Sequence, residues 1–197
     1  MVHLVVGLGN PGTKYEKTRH NLGYMVAAAF AARRGFPFKK GWKVKGQIAS
    51  GVYNEKKVEV LLPTTYMNLS GKAVIKLVHY YKIPLEQVIV IVDDIYVKFG
   101  SFRLRKRGGT GGHNGMRSIE QSLQSQEYPR LRMGIGHEEA FVEKEGRMLE
   151  DFVLAPFDAK EMELLPTFVE RGVALLEKWL DEGIDGAIHK AGEYGPL

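Results

Sequence analysis

Apolar residues recur along this chain with two periods, and each period predicts a different kind of element. Short continuous or alternating runs predict strands, whereas apolar positions three and four residues apart predict helices. The predicted strands are the run that begins at His3 and the segments 46–53, 57–62, 88–92, 100–107 and 130–136. The predicted helices cover 22–34, 70–82, 115–123 and about 160–181.

The order of these elements indicates an α/β fold. Asn54-Glu55 has turn chemistry and joins two strands as a hairpin, whereas a helix separates the first strand from that hairpin. A hairpin makes its strands antiparallel and a helical connection favours parallel ones, so the sheet should be mixed. We expect a single domain over residues 1–197, a three-layer α/β/α sandwich with a mixed, mostly parallel central sheet and an amphipathic C-terminal helix at about 160–181.

Three of the apolar runs end in polar side chains. These side chains are Asn10, Asn68 and the pair Asp93-Asp94, and the neighbouring loops carry His20-Asn21 and Gly111-Gly-His113-Asn114-Gly115. Ligands of α/β proteins bind beyond the carboxyl ends of the strands, where short loops deliver polar groups into one crevice. We therefore expect Asn10, Asn68 and Asp93 to face one another.

This set of residue types suits general-base chemistry. A histidine beside a carboxylate has its tautomer fixed and its imidazolium stabilised. His20 and His113 are the two candidate bases, because each precedes an asparagine in a loop near the strand ends, and either Asp93 or Asp94 could be the partner. The other histidines are interpreted as ordinary surface residues: His3, His79, His137 and His189. Asparagine amides suit a neutral substrate, although each could instead be a hydrogen-bonded turn residue.

The sequence argues against dinucleotide, P-loop, metal and serine acyl-enzyme sites, because the motifs are incomplete or absent. Gly7-Leu-Gly9-Asn10-Pro11-Gly12 fits a dinucleotide fingerprint, but no helix opens within the glycines and no acid ends a second strand about 20 residues on. The glycine run 108–115 lacks the Gly-Lys-Ser/Thr ending of a nucleotide P-loop. The chain has neither His-Glu-x-x-His nor Gly-x-Ser-x-Gly. We expect no metal, no cofactor and no serine acyl-enzyme.

Composition and charge bear on the compartment and the partners of the protein. The 197 residues include no cysteine, which excludes disulfides and favours a reducing, cytoplasmic environment. No apolar stretch approaches the roughly 20 residues of a membrane span and no secretory signal is evident, so we expect no membrane partner. The net charge of +5 is compatible with a polyanionic partner, although solvated strand faces explain basic clusters in most proteins.

Five segments resemble the bacterial peptidyl-tRNA hydrolase family in order and spacing. They are Gly7-Leu-Gly-Asn-Pro-Gly12, Thr18-Arg-His-Asn21, Pro63-Thr-Thr-Tyr-Met-Asn-Leu-Ser-Gly71, Gly111-Gly-His-Asn-Gly115 and Arg132-Met-Gly-Ile-Gly136. The resemblance covers the chain from its start to about residue 157. It implies an enzyme that cleaves the ester between a peptide and its tRNA, with no cofactor.

The resemblance also implies a role for each site residue. His20 would be the general base that activates water, Asp93 would hold it, and Asn10 would contact the substrate near the ester. The implied binding residues are Asn68 and Asn114 for substrate and water, Tyr15, Tyr66 and Met67 lining the crevice, His113 in support, and Arg103, Arg105 and Arg132 for acceptor-stem phosphates.

One stretch departs from the family pattern. Where the family usually has Asp-Asp-Leu-Asp-Leu-Pro-x-Gly, this chain has Asp93-Asp94-Ile95-Tyr96-Val97-Lys98-Phe99-Gly100, so an acid and a proline are missing. We therefore expect an atypical loop from Ile95 to Phe99.

Two other functions fit parts of the pattern. A related RNA-binding protein would keep the fold and lose catalytic residues, whereas this chain has them all. A generic esterase or nucleotide-binding enzyme would be indifferent to RNA. We also expect a monomer, because no large apolar stripe is left once the predicted helices are packed.

Overall fold

In the part of the chain that the structure describes, one mixed sheet of seven strands forms the centre. The computed structural model describes residues 1–41, 43–137 and 147–197. Its strands are β1 (Val2–Gly7), β2 (Phe38–Gly41), β3 (Gly46–Tyr53), β4 (Lys56–Pro63), β5 (Val88–Lys98), β6 (Phe102–Arg105) and β7 (Arg130–Gly136). Its α-helices are α1 (Leu22–Arg33), α2 (Gly71–Tyr81), α3 (Asn114–Leu123), α4 (Arg147–Leu154) and α5 (Ala159–Glu193).

The strand order is β2-β3-β4-β1-β5-β7-β6. The four strands β4, β1, β5 and β7 pair in parallel at the centre, and antiparallel pairs complete both edges. Strands β1, β4 and β5 are rich in Val, Ile and Leu because helices cover both faces of a parallel sheet. The predicted mixed α/β sheet is confirmed, with its parallel part confined to the centre.

Alternate residues of the central strands pack into two separate cores. Val5 of β1 contacts the core formed with α1 and α5, whereas its neighbours Leu4 and Val6 contact the core formed with α2 and α3. This alternation follows from the two-residue period of a strand. The outcome is the three-layer arrangement that the sequence predicts.

Several predicted boundaries need correction. The helix predicted at about 160–181 begins at Ala159 and continues to Glu193, with a break at Gly183, whose φ is 76°. The strand predicted over 100–107 covers only Phe102–Arg105. Strand β2 and helix α4 were not predicted, because a four-residue edge strand and a two-turn helix carry few periodic positions.

The prediction of an atypical loop from Ile95 to Phe99 is wrong. Strand β5 continues to Lys98, and its pairing with β7 shifts register between Asp94 and Lys98, which marks a β-bulge. Val97 and Phe99 are buried while Tyr96 and Lys98 are exposed. This alternation is a strand pattern, and the absence of proline leaves the backbone able to extend the strand.

A buried ion pair joins the segment before α1 to the start of α5. Arg19 Nη2 lies 2.6 Å from Glu161 Oε2, and Arg19 also donates to the carbonyl oxygen of Pro156 at 2.9 Å. Glu161 completes a capping box with Asp158, the N-cap of α5. His137 Nε2 lies 2.8 Å from Glu161 Oε1, and its side chain is partly exposed, so this predicted surface residue also contacts the ion pair. The residue next to His20 is thus anchored to a distant helix.

His3 departs from the surface interpretation. Its ring makes an edge contact with Trp179 at 5.4 Å between centroids, and its Nδ1 is buried. His79 and His189 are exposed, as predicted.

Within the described ranges, no helix combines the length and the apolar character that crossing a bilayer requires.

The Arg19–Glu161 pair provides a test of the anchoring. We expect Glu161→Ala to lower the free energy of unfolding by about 3–5 kcal/mol, because it leaves a buried guanidinium without its partner. The matched control is Glu170→Ala on the same helix, where the pair with Arg33 is partly exposed and is worth about 0–1 kcal/mol. Urea unfolding monitored by circular dichroism measures both values. Equal losses in the two variants would contradict the anchoring.

Candidate active site

A crevice of about 740 Å³ opens at the carboxyl ends of the central strands. Its walls come from the loops after β1 and β4, from the C-terminal half of β5, from the glycine-rich loop before α3 and from helix α4. Its lining includes ten of the residues predicted from the sequence: Asn10, Tyr15, His20, Tyr66, Met67, Asn68, Asp93, His113, Asn114 and Arg132. The expected meeting of Asn10, Asn68 and Asp93 in one crevice is observed.

Close packing of α1 against the sheet brings His20 to this crevice. A Cβ at Gly7 would lie 2.4 Å from the carbonyl oxygen of Gly23, and a Cβ at Gly23 would lie 2.4 Å from that of Ile91. Glycine at both positions therefore lets the first turn of α1 approach β1 and β5. The single turn Arg19–Asn21 precedes α1 directly, so its side chains reach the end of β5.

Two reciprocal hydrogen bonds hold Asn10 in place. The Asn10 backbone N–H donates to Asn21 Oδ1 at 2.8 Å, and Asn21 Nδ2 donates to the Asn10 carbonyl oxygen at 3.0 Å. Asn10 Oδ1 in turn accepts from the backbone N–H of Met67 at 2.9 Å. The Nδ2 group is therefore the part of the Asn10 amide left for a ligand. Sequence reasoning gave Asn21 no role, although it lies in the same motif as His20.

The buried Asp93 carboxylate contacts two neighbouring imidazole rings. Its two oxygens each lie 3.0 Å from His20 Nδ1, and its Oδ1 lies 3.1 Å from His113 Nε2. The two ring centroids are 4.8 Å apart. One carboxylate therefore orients both histidines.

The hydrogen bonds of His113 define its tautomer. His113 is the N-cap of α3, and its Nδ1 accepts from the backbone N–H groups of Gly115 and Met116 at 3.1 and 3.3 Å. An accepting Nδ1 carries no proton, so the proton of the neutral ring is on Nε2 and is donated to Asp93. Both nitrogens of His113 are occupied.

His20 has one nitrogen left for chemistry. Its Nδ1 donates to Asp93, so Nε2 of the neutral ring carries the lone pair. Among the described residues no hydrogen bond engages this Nε2. The sequence left His20 and His113 as alternative bases, and the geometry favours His20.

Burial and charge act in opposite directions on the pKa values of this cluster. Burial lowers the pKa of His20, but the charge and hydrogen bond of Asp93, with a contribution from Glu150, outweigh it and raise the pKa. Burial lowers the pKa of His113, and the positive charges of His20 and Arg132 add to that effect against Asp93. Burial opposes ionisation of Asp93, yet its two imidazole partners hold its pKa well below the usual range. Asp93 is therefore ionised at neutral pH.

Two clusters in the described part of the chain have the ligand types of a metal site. The ligand atoms of His20, Asp93 and His113 lie within 4.8 Å of one another, and so do those of His137, Asp158 and Glu161. In the first cluster, hydrogen bonds between the carboxylate and both rings already account for the geometry. In the second, the Arg19 guanidinium lies against Glu161 and would repel a cation.

Asp94 faces away from the histidines. Its Oδ2 lies 3.1 Å from Arg132 Nη1, and Arg132 Nη2 donates to the carbonyl oxygen of Gly109 at 2.8 Å. The sequence left Asp93 and Asp94 as alternatives, and only Asp93 contacts the two imidazoles. Asp94 instead fixes an arginine under the glycine-rich loop.

A basic groove of about 460 Å³ adjoins the crevice. It shares Asp94, Tyr96, Gly111 and Arg132 with the crevice. The other charged residues that line it are Arg103, Arg105, Arg107 and Arg130. Arg103 and Arg105 are alternate residues of β6 on one exposed face, so their guanidinium groups are presented together.

The crevice also contains residues that sequence reasoning missed. Helix α4 contributes Leu149, Glu150, Val153 and Leu154, and the extended β5 contributes Ile95 and Tyr96. Apolar residues at Leu149 and Val153 are four positions apart, which is a helical signal that could have been found. Nothing local indicates that α4 packs beside the turn Arg19–Asn21.

An α/β sheet with a carboxylate-held imidazole at its carboxyl edge defines a class of site suited to general acid–base catalysis. Comparison with known proteins identifies the family. A sequence model of the family described as peptidyl-tRNA hydrolase matches residues 4–194. The chain belongs to the peptidyl-tRNA hydrolase family, whose members are hydrolases that act on an ester bond.

Individual relatives are similar over almost their whole lengths. A peptidyl-tRNA hydrolase of Chloroflexus aggregans is 42% identical over 196 residues, covering 98% of this chain and 99% of the relative. One of Bacillus cytotoxicus is 42% identical over 179 residues, covering 91% and 93%. The crystal structure of peptidyl-tRNA hydrolase from Acinetobacter baumannii matches with a TM-score of 0.91 and 31% identity, covering 100% of this chain and 97% of that one.

The opposing effects on His20 lead to a prediction about its titration. In the wild type we expect the pKa of His20 to exceed its ordinary value of 6.5. In Asp93→Asn the carboxylate charge is gone and burial dominates, so the pKa should fall below that value. Histidine NMR titration measures both, with His3 as the control because its lowered pKa arises from burial and Lys56. An unchanged His20 pKa in the variant would contradict the assignment of Asp93 as its partner.

Proposed function

We propose that this crevice hydrolyses the ester of peptidyl-tRNA with His20 as the general base. The observation that carries the proposal is that the two histidines bound to Asp93 differ in how many of their ring nitrogens are engaged. His113 has both nitrogens engaged, whereas His20 directs only Nδ1 at the carboxylate. A base needs a free nitrogen within reach of the proton that it removes, and His20 Nε2 meets that requirement.

The proposed reaction uses water directly. His20 Nε2 takes a proton from water as the oxygen attacks the ester carbonyl carbon and the carbonyl π electrons move to its oxygen. The tetrahedral intermediate then collapses, the bond to the ribose oxygen breaks, and the imidazolium returns its proton to that oxygen. Asp93 stabilises the imidazolium while it exists, and its depressed pKa keeps it ionised. An ester has a better leaving group than an amide, so no covalent intermediate is required.

Amide side chains suit the roles of substrate ligands. Asn10 presents Nδ2 as a donor, because its Oδ1 is bound to the backbone of Met67. We assign Asn10 to the substrate next to the ester, where it would help to select peptidyl over free aminoacyl ends. Asn68 and Asn114 are exposed in the same crevice, and we assign them to the substrate and the attacking water. One donor placed at a developing oxyanion contributes about 10²–10³ in rate.

Other residues of the crevice fit supporting roles. We assign the apolar surfaces of Tyr15, Tyr66 and Met67 to the tRNA 3′ end and the peptide. His113 supports the base indirectly, because it donates to the same Asp93 oxygen that His20 contacts. An RNA-binding protein without catalysis is disfavoured by the intact His20–Asp93 pair.

The basic groove fits a phosphate backbone. We assign Arg103, Arg105 and Arg132 to phosphates of the acceptor stem. Such contacts position the tRNA and do not read its base sequence. Arg132 is held by Asp94 and Gly109, so its guanidinium is pre-positioned. Continuity between groove and crevice supports a single tRNA bound across both.

We propose that the enzyme acts as a cytoplasmic monomer. Support comes from the scattering of exposed large apolar side chains over separate elements, with Val52 on β3, Tyr80 on α2 and Met162 on α5. The absence of cysteine fits a reducing compartment.

Replacement of the base is the first test. We expect His20→Ala to lower the rate of tRNA release from N-acetyl-aminoacyl-tRNA by about 10²–10⁴-fold, the usual contribution of a positioned base. Binding of the tRNA should change little. The assay separates free tRNA from the ester on acidic gels, without added metal, and exposed His79→Ala is the matched control. Retained activity in His20→Ala would rule out the proposed base, whereas no cleavage by wild type would contradict the enzyme itself.

The two basic edges of the sheet allow a test of the groove. We expect the double variant Arg103→Gln, Arg105→Gln to raise KM for the tRNA substrate and to reduce the salt dependence of binding by roughly one unit of log–log slope per lost phosphate contact. The control is Lys39→Gln, Lys40→Gln on β2, which forms the opposite edge of the sheet. Filter binding over a salt series measures the slopes. A larger effect at β2 would assign the tRNA to the other edge.

A further inference from the structure

Tyr96 lies on the ridge between the crevice and the basic groove. It lines both cavities, and it is 58% exposed. Its neighbours in sequence, Ile95 and Val97, pack toward the core, so the alternation of the strand directs the tyrosine outward. No hydrogen bond or ring contact engages its side chain within the part of the chain that the structure describes. The mechanism proposed above does not involve the Tyr96 ring.

The backbone beneath Tyr96 is held from two sides. Its N–H donates to Asp94 Oδ1 at 2.8 Å, and the other oxygen of Asp94 binds Arg132. On the β7 side, a Cβ at Gly134 would lie 2.0 Å from the carbonyl oxygen of Lys98, and one at Gly136 would lie 2.2 Å from that of Ile95. The bulged end of β5 therefore fits closely against two glycines. Bulges commonly re-aim a side chain beside an active site.

A tRNA bound as proposed must cross this ridge. Its base-paired stem would lie along the arginines of the groove, and its terminal ribose would carry the ester into the crevice beside His20. The nucleotides between these two points are unpaired in every tRNA, so their bases are available for stacking. Exposed aromatic rings bind such bases regardless of sequence, because every base has a π face.

We propose that Tyr96 is a stacking platform for an unpaired nucleotide that precedes the terminal adenosine of the tRNA. This inference rests on the proposed function of the crevice and the groove, and it assigns a binding residue that the family pattern does not contain. The family pattern has an acid at this position, whose charge would face the phosphates, whereas the phenol ring is neutral and offers a flat surface. Because the strand beneath is held, little conformational freedom is lost when the base stacks.

The test compares two substrates that differ in the nucleotides before the ester. One is N-acetyl-aminoacyl-tRNA, and the other is N-acetyl-aminoacyl-adenosine, which ends at the terminal nucleoside. We expect Tyr96→Ala to lower kcat/KM on the tRNA by roughly 5- to 150-fold, chiefly through KM, as expected for one lost stack. The loss on the adenosine ester should be much smaller. Tyr96→Phe should behave like wild type on both substrates, because it keeps the ring.

A matched control and a direct readout separate stacking from a structural effect. Tyr80→Ala removes another exposed tyrosine, 76% exposed on α2, which lines neither cavity, and it should leave both substrates unaffected. For the direct readout, 2-aminopurine replaces the base before the terminal adenosine, and the ester is kept intact by His20→Ala. The fluorescence of 2-aminopurine should be quenched on binding to His20→Ala. It should not be quenched on binding to the double variant His20→Ala, Tyr96→Ala.

The outcomes distinguish the inference from the function on which it rests. Equal kcat/KM for Tyr96→Ala and wild type on the tRNA would overturn the stacking role while leaving the hydrolase intact. Equal losses on both substrates would also overturn it, because the ring would then act at the ester or on the fold. Failure of wild type to cleave the tRNA ester would instead contradict the proposed function.

Discussion

The carboxylate of Asp93 is the constraint on which the site depends. An ionised carboxylate buried at the end of β5 is costly unless donors satisfy it. Here two neighbouring imidazoles do so, one from the turn before α1 and one from the N-cap of α3. The N-terminal amides of α3 donate to His113 Nδ1 and so keep the proton of the ring on Nε2. His113 Nε2 can therefore donate to Asp93. Three elements distant in sequence therefore meet at one negative charge, and they leave one nitrogen, His20 Nε2, for chemistry.

Adjacent residues of one strand hold different partners on the two sides of the strand. Successive side chains of a strand point in opposite directions, so Asp93 faces the histidines while Asp94 faces Arg132. Asp94 also accepts the N–H of Tyr96, which links the arginine beneath the glycine-rich loop to the ridge between crevice and groove. A neutral crevice lined by amides and tyrosines thus continues into a cationic groove. This arrangement suits a substrate that has an ester at one end and phosphates along the other.

Local patterns predicted most of the fold because each depends on residues close together in sequence. The period of apolar positions identified α1, α2, α3, β7 and the β3–β4 hairpin, whose bounds agree with the structure to within a residue or two. The segment 95–99 was misread because the missing proline was taken as a sign of an unusual loop. Its alternation of inward and outward residues was in fact a strand signal, and the tight fit against Gly134 and Gly136 depends on β7, which begins more than thirty residues later.

The sequence by itself determined the α/β class, the mixed sheet, and the gathering of amides, histidines and an acid at the strand ends, since these follow from periodicity and from the polarity of short runs. Only the tertiary structure decided which histidine has a free nitrogen and which aspartate holds it. Those properties depend on hydrogen-bond partners 20 and 73 residues away in sequence from Asp93. It also decided that α4 lines the crevice and that Tyr96 stands between crevice and groove. The order of strands in a sheet brings such residues together, and no local pattern encodes that order.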